Sequence, residues 1–354
     1  MASQTGTILV TGANGGLGSA IVGHVIGSNS LARDLHGLYA VRNTQRADAV
    51  QKELQKAGPA GHKYDLVPLD LSSLASTRKA AQDINKRVAD GSIPPIRALV
   101  LSAAWQEYTT HTITDDGFDM TFQATYLSHF LLTLLLLRSM DKKHGRVVVL
   151  ASWSHDTADK RNTMGPPGNA YSYERYNQIF KEPMDTESLA RGKWSSAEEH
   201  PDNLEAGYRR YGAAKLCEVM FMRELSKRIT KDPDLSSIAV LALDPGAMPT
   251  SLGTRGSFGI RALFALMNVV NPIMSYIQPD GDMRTTALSA SHVMRASLDT
   301  ETLGERPNGV YLDGTRAREV SEEAKDEAKC RKLWEDTLDF AQVQEGDTVL
   351  VDWR

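Results

Sequence analysis

Tyr211 and Lys215 stand four residues apart in Tyr211-Gly212-Ala213-Ala214-Lys215, a spacing that puts a phenol and an ammonium on one helix face. A neighbouring positive charge favours the phenolate, so Lys215 is expected to lower the tyrosine pKa. Such a phenol can give a proton to a carbonyl oxygen as hydride reaches the carbon, or take one in reverse. Pairs at this spacing arise by chance. The weight of this one comes from its place, between strand-like runs at 146–150 and 238–243. Just past the first run stands Ser152, in Leu150-Ala151-Ser152-Trp153-Ser154-His155. Strand ends face the ligand crevice of an open α/β sheet, where a hydroxyl can hydrogen-bond a substrate oxygen. Ser154 and His155 raise the separate question of a hydrolase, but the sequence lacks the Gly-x-Ser-x-Gly elbow that chemistry needs.

Near the start lies Thr11-Gly12-Ala13-Asn14-Gly15-Gly16-Leu17-Gly18, directly after a β-branched run at 7–11 and opening an amphipathic segment at 17–26. In that context glycines let the backbone approach a pyrophosphate, whose charge meets the helix N-terminus. A dinucleotide is therefore assigned to Gly12, Asn14, Gly16, Leu17 and Gly18. The next strand ends in Tyr39-Ala40-Val41-Arg42-Asn43. An acid there would bind the 2′-hydroxyl of NADH, whereas Arg42, with Arg46 nearby, suits a 2′-phosphate. NADPH/NADP+ is expected over NADH.

These residues need a scaffold of alternating strands and helices. Strands are read at 7–11, 38–41, 65–69, 96–101, 146–150 and 238–243, with helices at 17–26, 48–56, 76–88 and 117–140 between them. That alternation calls for a parallel sheet covered on both faces: an α/β, Rossmann-type doubly wound fold. Two stretches break the rhythm. Residues 153–210 are polar with no long periodic segment, and 253–281 are more apolar; loops of such length in a compact domain are often functional. A short strand at 309–312 and a charged helix at 319–342, with a solvated face, complete the chain.

Composition narrows the partners. The 354 residues carry 40 Lys+Arg against 44 Asp+Glu, a net charge of −4, so no basic field exists to bind nucleic acid. Cys217 and Cys330 are the two cysteines, which fits a reducing compartment, the cytoplasm. The histidines show no metal-ligand spacing, and no metal is expected. Met1–Gly6 lacks the pattern of a signal peptide. No transmembrane span is expected either, since no run reaches the ~18 uninterrupted apolar residues required. Phe258–Ile277 is broken by Gly259, Arg261, Asn268, Asn271 and Pro272; it reads as a lid over a hydrophobic substrate, with peripheral membrane contact, at the endoplasmic reticulum for instance, as the alternative. The leucine-dense 130–137 reads as a buried helix or as the seam of a homodimer.

Taken together, the glycine turn, Ser152 and the Tyr211/Lys215 pair resemble the short-chain dehydrogenases/reductases, from about Thr7 to the end. Among these the chain looks most like retinol-dehydrogenase-like and fungal reductases, including sterol ketoreductase relatives, by Ser152-Trp153-Ser154-His155 and Lys332-Leu333-Trp334-Glu335. The resemblance implies that Asp70 and Leu71 contact the adenine and that Lys215 also binds the nicotinamide ribose. It further implies that Pro245, Gly246 and Thr250 approach the carboxamide. Two positions depart from the family. Ser102-Ala103-Ala104 stands where the family carries Asn-Ala-Gly. Thr125 stands where an asparagine kinks the long helix and positions a water-linked proton relay to the lysine. A hydroxyl has different reach and fewer groups than a carboxamide.

The expectation is one domain over 1–354, with lid-like insertions at 153–210 and 253–281 and a C-terminal extension at 301–354. Its function would be NADPH-dependent carbonyl reduction, or the reverse oxidation, on a bulky apolar molecule such as a polyketide, terpenoid or sterol-like ketone. Tyr211 would be acid/base, Ser152 would hold the carbonyl oxygen, and Thr125 would be the weakest member. An isomerase, dehydratase, epimerase or cyclase on the same fold, and a silent NADPH-binding protein, are the alternatives.

Overall fold

A computed structural model describes residues 4–56, 61–163, 168, 170–196, 203–250 and 258–354. Eight strands form one sheet: β1 Gly6–Thr11, β2 Leu35–Val41, β3 Tyr64–Pro68, β4 Ile96–Leu101, β5 Arg146–Leu150, β6 Ala239–Asp244, β7 Tyr311–Asp313 and β8 Arg316–Arg318. Their order is β3-β2-β1-β4-β5-β6-β7-β8, parallel except for the β7–β8 hairpin. The chain runs outward from β1 to β3, then returns to place β4 on the other side of β1. That reversal opens a crevice at the carboxyl ends of β1 and β4, where ligands of doubly wound sheets bind. Strands β1, β2, β5 and β6 are buried at every residue, as continuous apolar runs covered on both faces should be.

The helices are α1 Gly16–Gly27, α2 Asn29–Asp34, α3 Asp48–Leu54, α4 Leu74–Ala89, α5 Met120–Phe122, α6 Ser128–Leu136, α7 Thr186–Ala190, α8 Asn203–Lys231, α9 Phe258–Ile277, α10 Thr286–Leu298, α11 Glu322–Lys325 and α12 Glu327–Phe340. One face of the sheet packs on α1, α3 and α10, with Ile21, Val22, Val25, Val293 and Met294 buried against Ile8, Val10 and Val148. The other packs on α4, α6, α8 and α12. A π-helical turn, Gln123–Leu127, joins α5 to α6, so the kink of the long helix survives with threonine at 125. Residues 120–139 are long and apolar enough to cross a membrane, but 94% of their most apolar window is buried inside the chain. Of the two expectations for 130–137, the structure shows the buried helix: Phe130 stacks edge-on against Trp334 of α12 at 4.9 Å, so this chain itself covers that face.

Several expectations change. The polar stretch 153–210 is not all loop, because α8 begins at Asn203 and carries Tyr208, Arg209 and Arg210. Helix α10 and the edge strand β8 had no counterpart in the sequence reading. The charged C-terminal helix is two helices, and it is not merely a solvated face. Lys329, Cys330, Leu333 and Trp334 are buried, and Lys329 Nζ donates to the Phe180 carbonyl. The expected segment 253–281 begins outside the described residues. Its described part, α9, runs as one helix through Asn268, Asn271 and Pro272.

Candidate active site

The crevice is a cavity of about 920 Å³ that reaches from the glycine turn to the inner face of α9. Gly12 ends β1 with φ +65°, and a Cβ there would lie 2.9 Å from the Ala103 Cα, so only glycine lets the chains after β1 and β4 meet this closely. Gly15 precedes α1 without any side-chain cap, leaving the first amides of the helix facing the cavity. Gly16 comes near Thr250, which would sit 3.3 Å from a Cβ at that position. All of the expected cofactor residues line this one space: Gly12, Asn14, Gly16, Leu17, Gly18, Arg42, Asp70, Leu71, Ser102, Ala103, Tyr211, Lys215, Pro245, Gly246 and Thr250.

Their side chains are not all aimed at a ligand. Asn14 is spent on the protein: its Oδ1 accepts the amides of Ala49 and Val50, and its Nδ2 donates to the Arg46 carbonyl. It therefore holds the start of α3, and with it the Arg46 turn, against the cavity. Asp70 Oδ1 accepts from the amide and hydroxyl of Ser72, which shapes the turn after β3. Arg42 is exposed at the end of β2, its guanidinium 5.8 Å from the Trp105 ring centroid.

Ser152 lies two residues past β5, and its Oγ accepts from the amide of Ser154 at 3.2 Å and from the Ser154 hydroxyl at 3.0 Å. With both acceptances filled, its own proton is left to give outward. His155 donates from Nδ1 to the Ser152 carbonyl at 2.7 Å and accepts the Ser321 amide at Nε2, so this imidazole ties the turn to the segment before α11. Helix α8 presses on the same turn at Gly212, where a Cβ would lie 2.6 Å from the Ser154 carbonyl oxygen. That contact sets Tyr211 beside the turn that carries Ser152.

Lys215 is buried. Its Nζ donates to the Leu150 carbonyl at 2.6 Å and to Glu218 Oε2 at 2.8 Å, and lies 5.5 Å from the Tyr211 ring centroid. The expected lowering of the tyrosine pKa by Lys215 meets opposing influences. Burial pushes the Tyr211 phenol up, and the charges of Glu218 and Asp244 push it further. A carboxylate in contact with the ammonium cancels much of the positive field the phenol would feel. Asp244, fully buried at the end of β6, is itself raised to about 6 by burial and by Asp313.

Thr125 does not reach toward Lys215. Its hydroxyl accepts the Trp105 amide at 3.0 Å and faces the Trp105 carbonyl at 3.3 Å, which pins the chain leaving β4. Those direct hydrogen bonds join Thr125 to the chain after β4. Thr11, by contrast, was passed over in the sequence although it abuts the glycine turn. Its Oγ1 accepts the amides of Ser102 and Ala103 and contacts His129 Nε2 at 2.9 Å. His129 Nδ1 donates to the Thr125 carbonyl.

The end of the cavity beneath α9 was equally hidden. Arg161, from the 153–210 insertion, lies over the Trp153 ring at 4.8 Å and pairs with Asp159 at 2.7 Å, Asp313 at 3.0 Å and Asp282 at 3.3 Å. Beside it the Tyr208 hydroxyl donates to Asn162. Opposite stand Met120, Met248, Leu263, Phe264 and Met267. Helix α9 is anchored by Asn271, whose Nδ2 donates to the carbonyls of Ala247 and Arg284. Its outer face leaves Leu266, Val269, Ile273, Tyr276 and Ile277 exposed. Among the described residues, no cluster of His, Cys, Asp or Glu could hold a metal ion.

The sheet is doubly wound, its glycine turn lies at the switch point, and Ser152, Tyr211 and Lys215 line the same cavity. The profile of the short chain dehydrogenase family matches residues 6–163. Short-chain dehydrogenase iccH of Talaromyces variabilis is 54% identical over 99% of this chain and 100% of its own length. Retinol dehydrogenase 14 of Mus musculus is 27% identical over 96% of this chain and 86% of its own. The NADPH-bound carbonyl reductase from chicken fatty liver has the same fold, with a TM-score of 0.56 and 16% identity over 90% of this chain and 100% of that one. The chain belongs to the short-chain dehydrogenase/reductase family of oxidoreductases.

Proposed function

We propose that this protein is an NADPH-dependent carbonyl reductase, working also as an alcohol dehydrogenase in reverse, on a bulky hydrophobic small molecule of a biosynthetic pathway. A polyketide, terpenoid or sterol-like ketone is the substrate class. The observation that carries the reading is one cavity with a glycine cradle and Arg42 at one end and Ser152, Tyr211 and Lys215 at the other. The cradle fits a dinucleotide: the close approach at Gly12 and the uncapped start of α1 leave room and donors for a pyrophosphate, and Arg42 supplies a cation for a 2′-phosphate. When bound, NADPH supplies the hydride. Lys215 would hold the nicotinamide ribose, and Pro245, Gly246 and Thr250 the carboxamide. Ser152 donates a hydrogen bond to the substrate oxygen, and Tyr211 alone transfers a proton to it.

The cofactor-bearing reductase of chicken liver supports the choice of NADPH, and Arg42 in place of an acid supports it further. The insertion at 153–210 and helix α9 act as the substrate walls of a single domain. Phe264 and Met267 favour an apolar guest. The exposed outer face of α9 supports peripheral contact with a lipid surface such as the endoplasmic reticulum, and the free buried thiols of Cys217 and Cys330 fit the cytoplasm.

The test is a panel of bulky ketones with NADPH, followed by the fall of the NADPH absorbance. Tyr211→Phe should lower turnover by about 1,000-fold or more while NADPH still binds. Retained reduction in that variant would sink the mechanism. Substrate conversion at constant NADPH absorbance would instead establish non-redox chemistry on this fold.

A further inference from the structure

Glu218 lies one turn beyond Lys215 on α8, and both are nearly inaccessible, their side chains 1% and 3% exposed. Its Oε2 accepts from Lys215 Nζ at 2.8 Å. The other oxygen, Oε1, is buried and accepts no hydrogen bond. His129 Nδ1 lies 3.7 Å from it, and that nitrogen already donates to the Thr125 carbonyl. With its proton on Nδ1 and Nε2 facing the Thr11 hydroxyl, this imidazole satisfies both neighbours without a positive charge. Lys215 is then the cation that balances Glu218. A buried carboxylate with one oxygen left unpaired is an expensive way to hold a helix, since an apolar residue of similar volume would often serve stability as well. Its cost falls beside the acid/base pair.

We propose that Glu218 is a positioning residue that fixes Lys215 on the Leu150 carbonyl and offsets its charge, keeping Tyr211 a protonated donor and so biasing the enzyme toward reduction. The inference rests on the assignment of Tyr211 as the acid/base. It also bears on Thr125, whose hydroxyl hydrogen-bonds Trp105 rather than Lys215. An ammonium held by Glu218 and Leu150 stays in place without it.

Other ionisable groups surround the pair. On α8 they are Tyr208 and Cys217. Across from them His129 of α6 stands 3.7 Å from Glu218 and Asp244 of β6 acts on Tyr211. A step further out, Glu323 of α11 and Tyr126 of the π turn act on or with Cys217, Arg161 faces Asp244, and the Tyr171 hydroxyl donates to the Ser154 carbonyl. Of these, Asp244 acts on Tyr211 in the same direction as Glu218.

The cofactor-free protein provides the measurement, an NMR pH titration with ring-labelled tyrosine in which the Tyr211 signal is the one lost in Tyr211→Phe. Glu218→Gln keeps an acceptor for Lys215 and removes the charge, so the Tyr211 midpoint should fall by about one pH unit or more. Glu218→Asp should leave it near the parent value. With cofactor and substrate, the alkaline decline of reduction and the alkaline rise of oxidation should both move down by the same amount in Glu218→Gln. If that variant does not fold, Glu218→Asn carries the same test. An unchanged midpoint in a folded, charge-free variant overturns the proposal, even where Tyr211→Phe is inactive. Full turnover in Tyr211→Phe overturns the underlying assignment instead.

Discussion

The two ends of the cavity are built by different means. At the nucleotide end the chain itself is the binding surface: positive-φ Gly12, an uncapped helix start, and amides after β4 gathered on the Thr11 hydroxyl. At the substrate end, side chains do the shaping. Arg161 gathers three carboxylates within 3.3 Å, Tyr208 and Asn162 close one wall, and α9 hangs from Asn271 over another. A backbone site tolerates almost no change at its glycines, whereas a side-chain site can be rebuilt residue by residue. Loops on a rigid scaffold are where specificity is usually varied.

Breaking the backbone site should have the larger effect. Gly12→Ala puts an L residue at φ +65° and a methyl 2.9 Å from Ala103 Cα, which must shift. We expect at least ~100-fold weaker NADPH binding by fluorescence titration and a stability loss of about 1–3 kcal/mol by urea unfolding. Parent-like affinity would mean that the close approach of the β1 and β4 turns is not what shapes the site. Next comes Arg42→Ala, which should weaken NADPH by about 10-fold, the value of one exposed charge-assisted contact, and leave NADH unchanged. An equal loss for both cofactors would show that Arg42 does not read the 2′-phosphate.

That contrast also explains what was legible in the sequence. The first six strands lie within a few residues of their expected positions. Strands β1, β2, β5 and β6 are buried at every residue and so read as continuous apolar runs, and the glycine turn is a local motif. The start of α8 was not legible. Arg209 and Arg210 fall in the stretch read as polar and without periodicity, yet both are buried. Arg209 donates to Ser195 Oγ and the Ala170 carbonyl, and Arg210 to the carbonyls of Ser195 and Thr110. A charge satisfied by distant backbone carbonyls looks, in sequence, like a charge satisfied by water. Lys329 misled in the same way, bound to the Phe180 carbonyl. Ser152, Tyr211 and Lys215 were singled out by spacing and place, and they line one cavity. Glu218 was invisible because its meaning depends on burial, and Arg161 because its partners sit up to 152 residues away.

The smallest expected effect sharpens the contrast from the substrate side. Phe264 is half-buried on the inner face of α9, where it lines the cavity but belongs to no hydrogen-bonded frame. Phe264→Ala removes apolar surface from one wall while Asn271 still fastens the helix to the loop after β6. A pocket contact of this size is worth about 1–3 kcal/mol in discrimination between substrates. Because the residue is only half-buried, the lower end applies, and KM for a bulky ketone should rise about 3–10-fold. Small ketones, which need not touch α9, should keep their KM, and NADPH affinity should not change. If small and bulky ketones lose equally, α9 closes the site without choosing the guest. If NADPH affinity falls with them, the two ends are mechanically coupled, and their separation into a backbone half and a side-chain half fails.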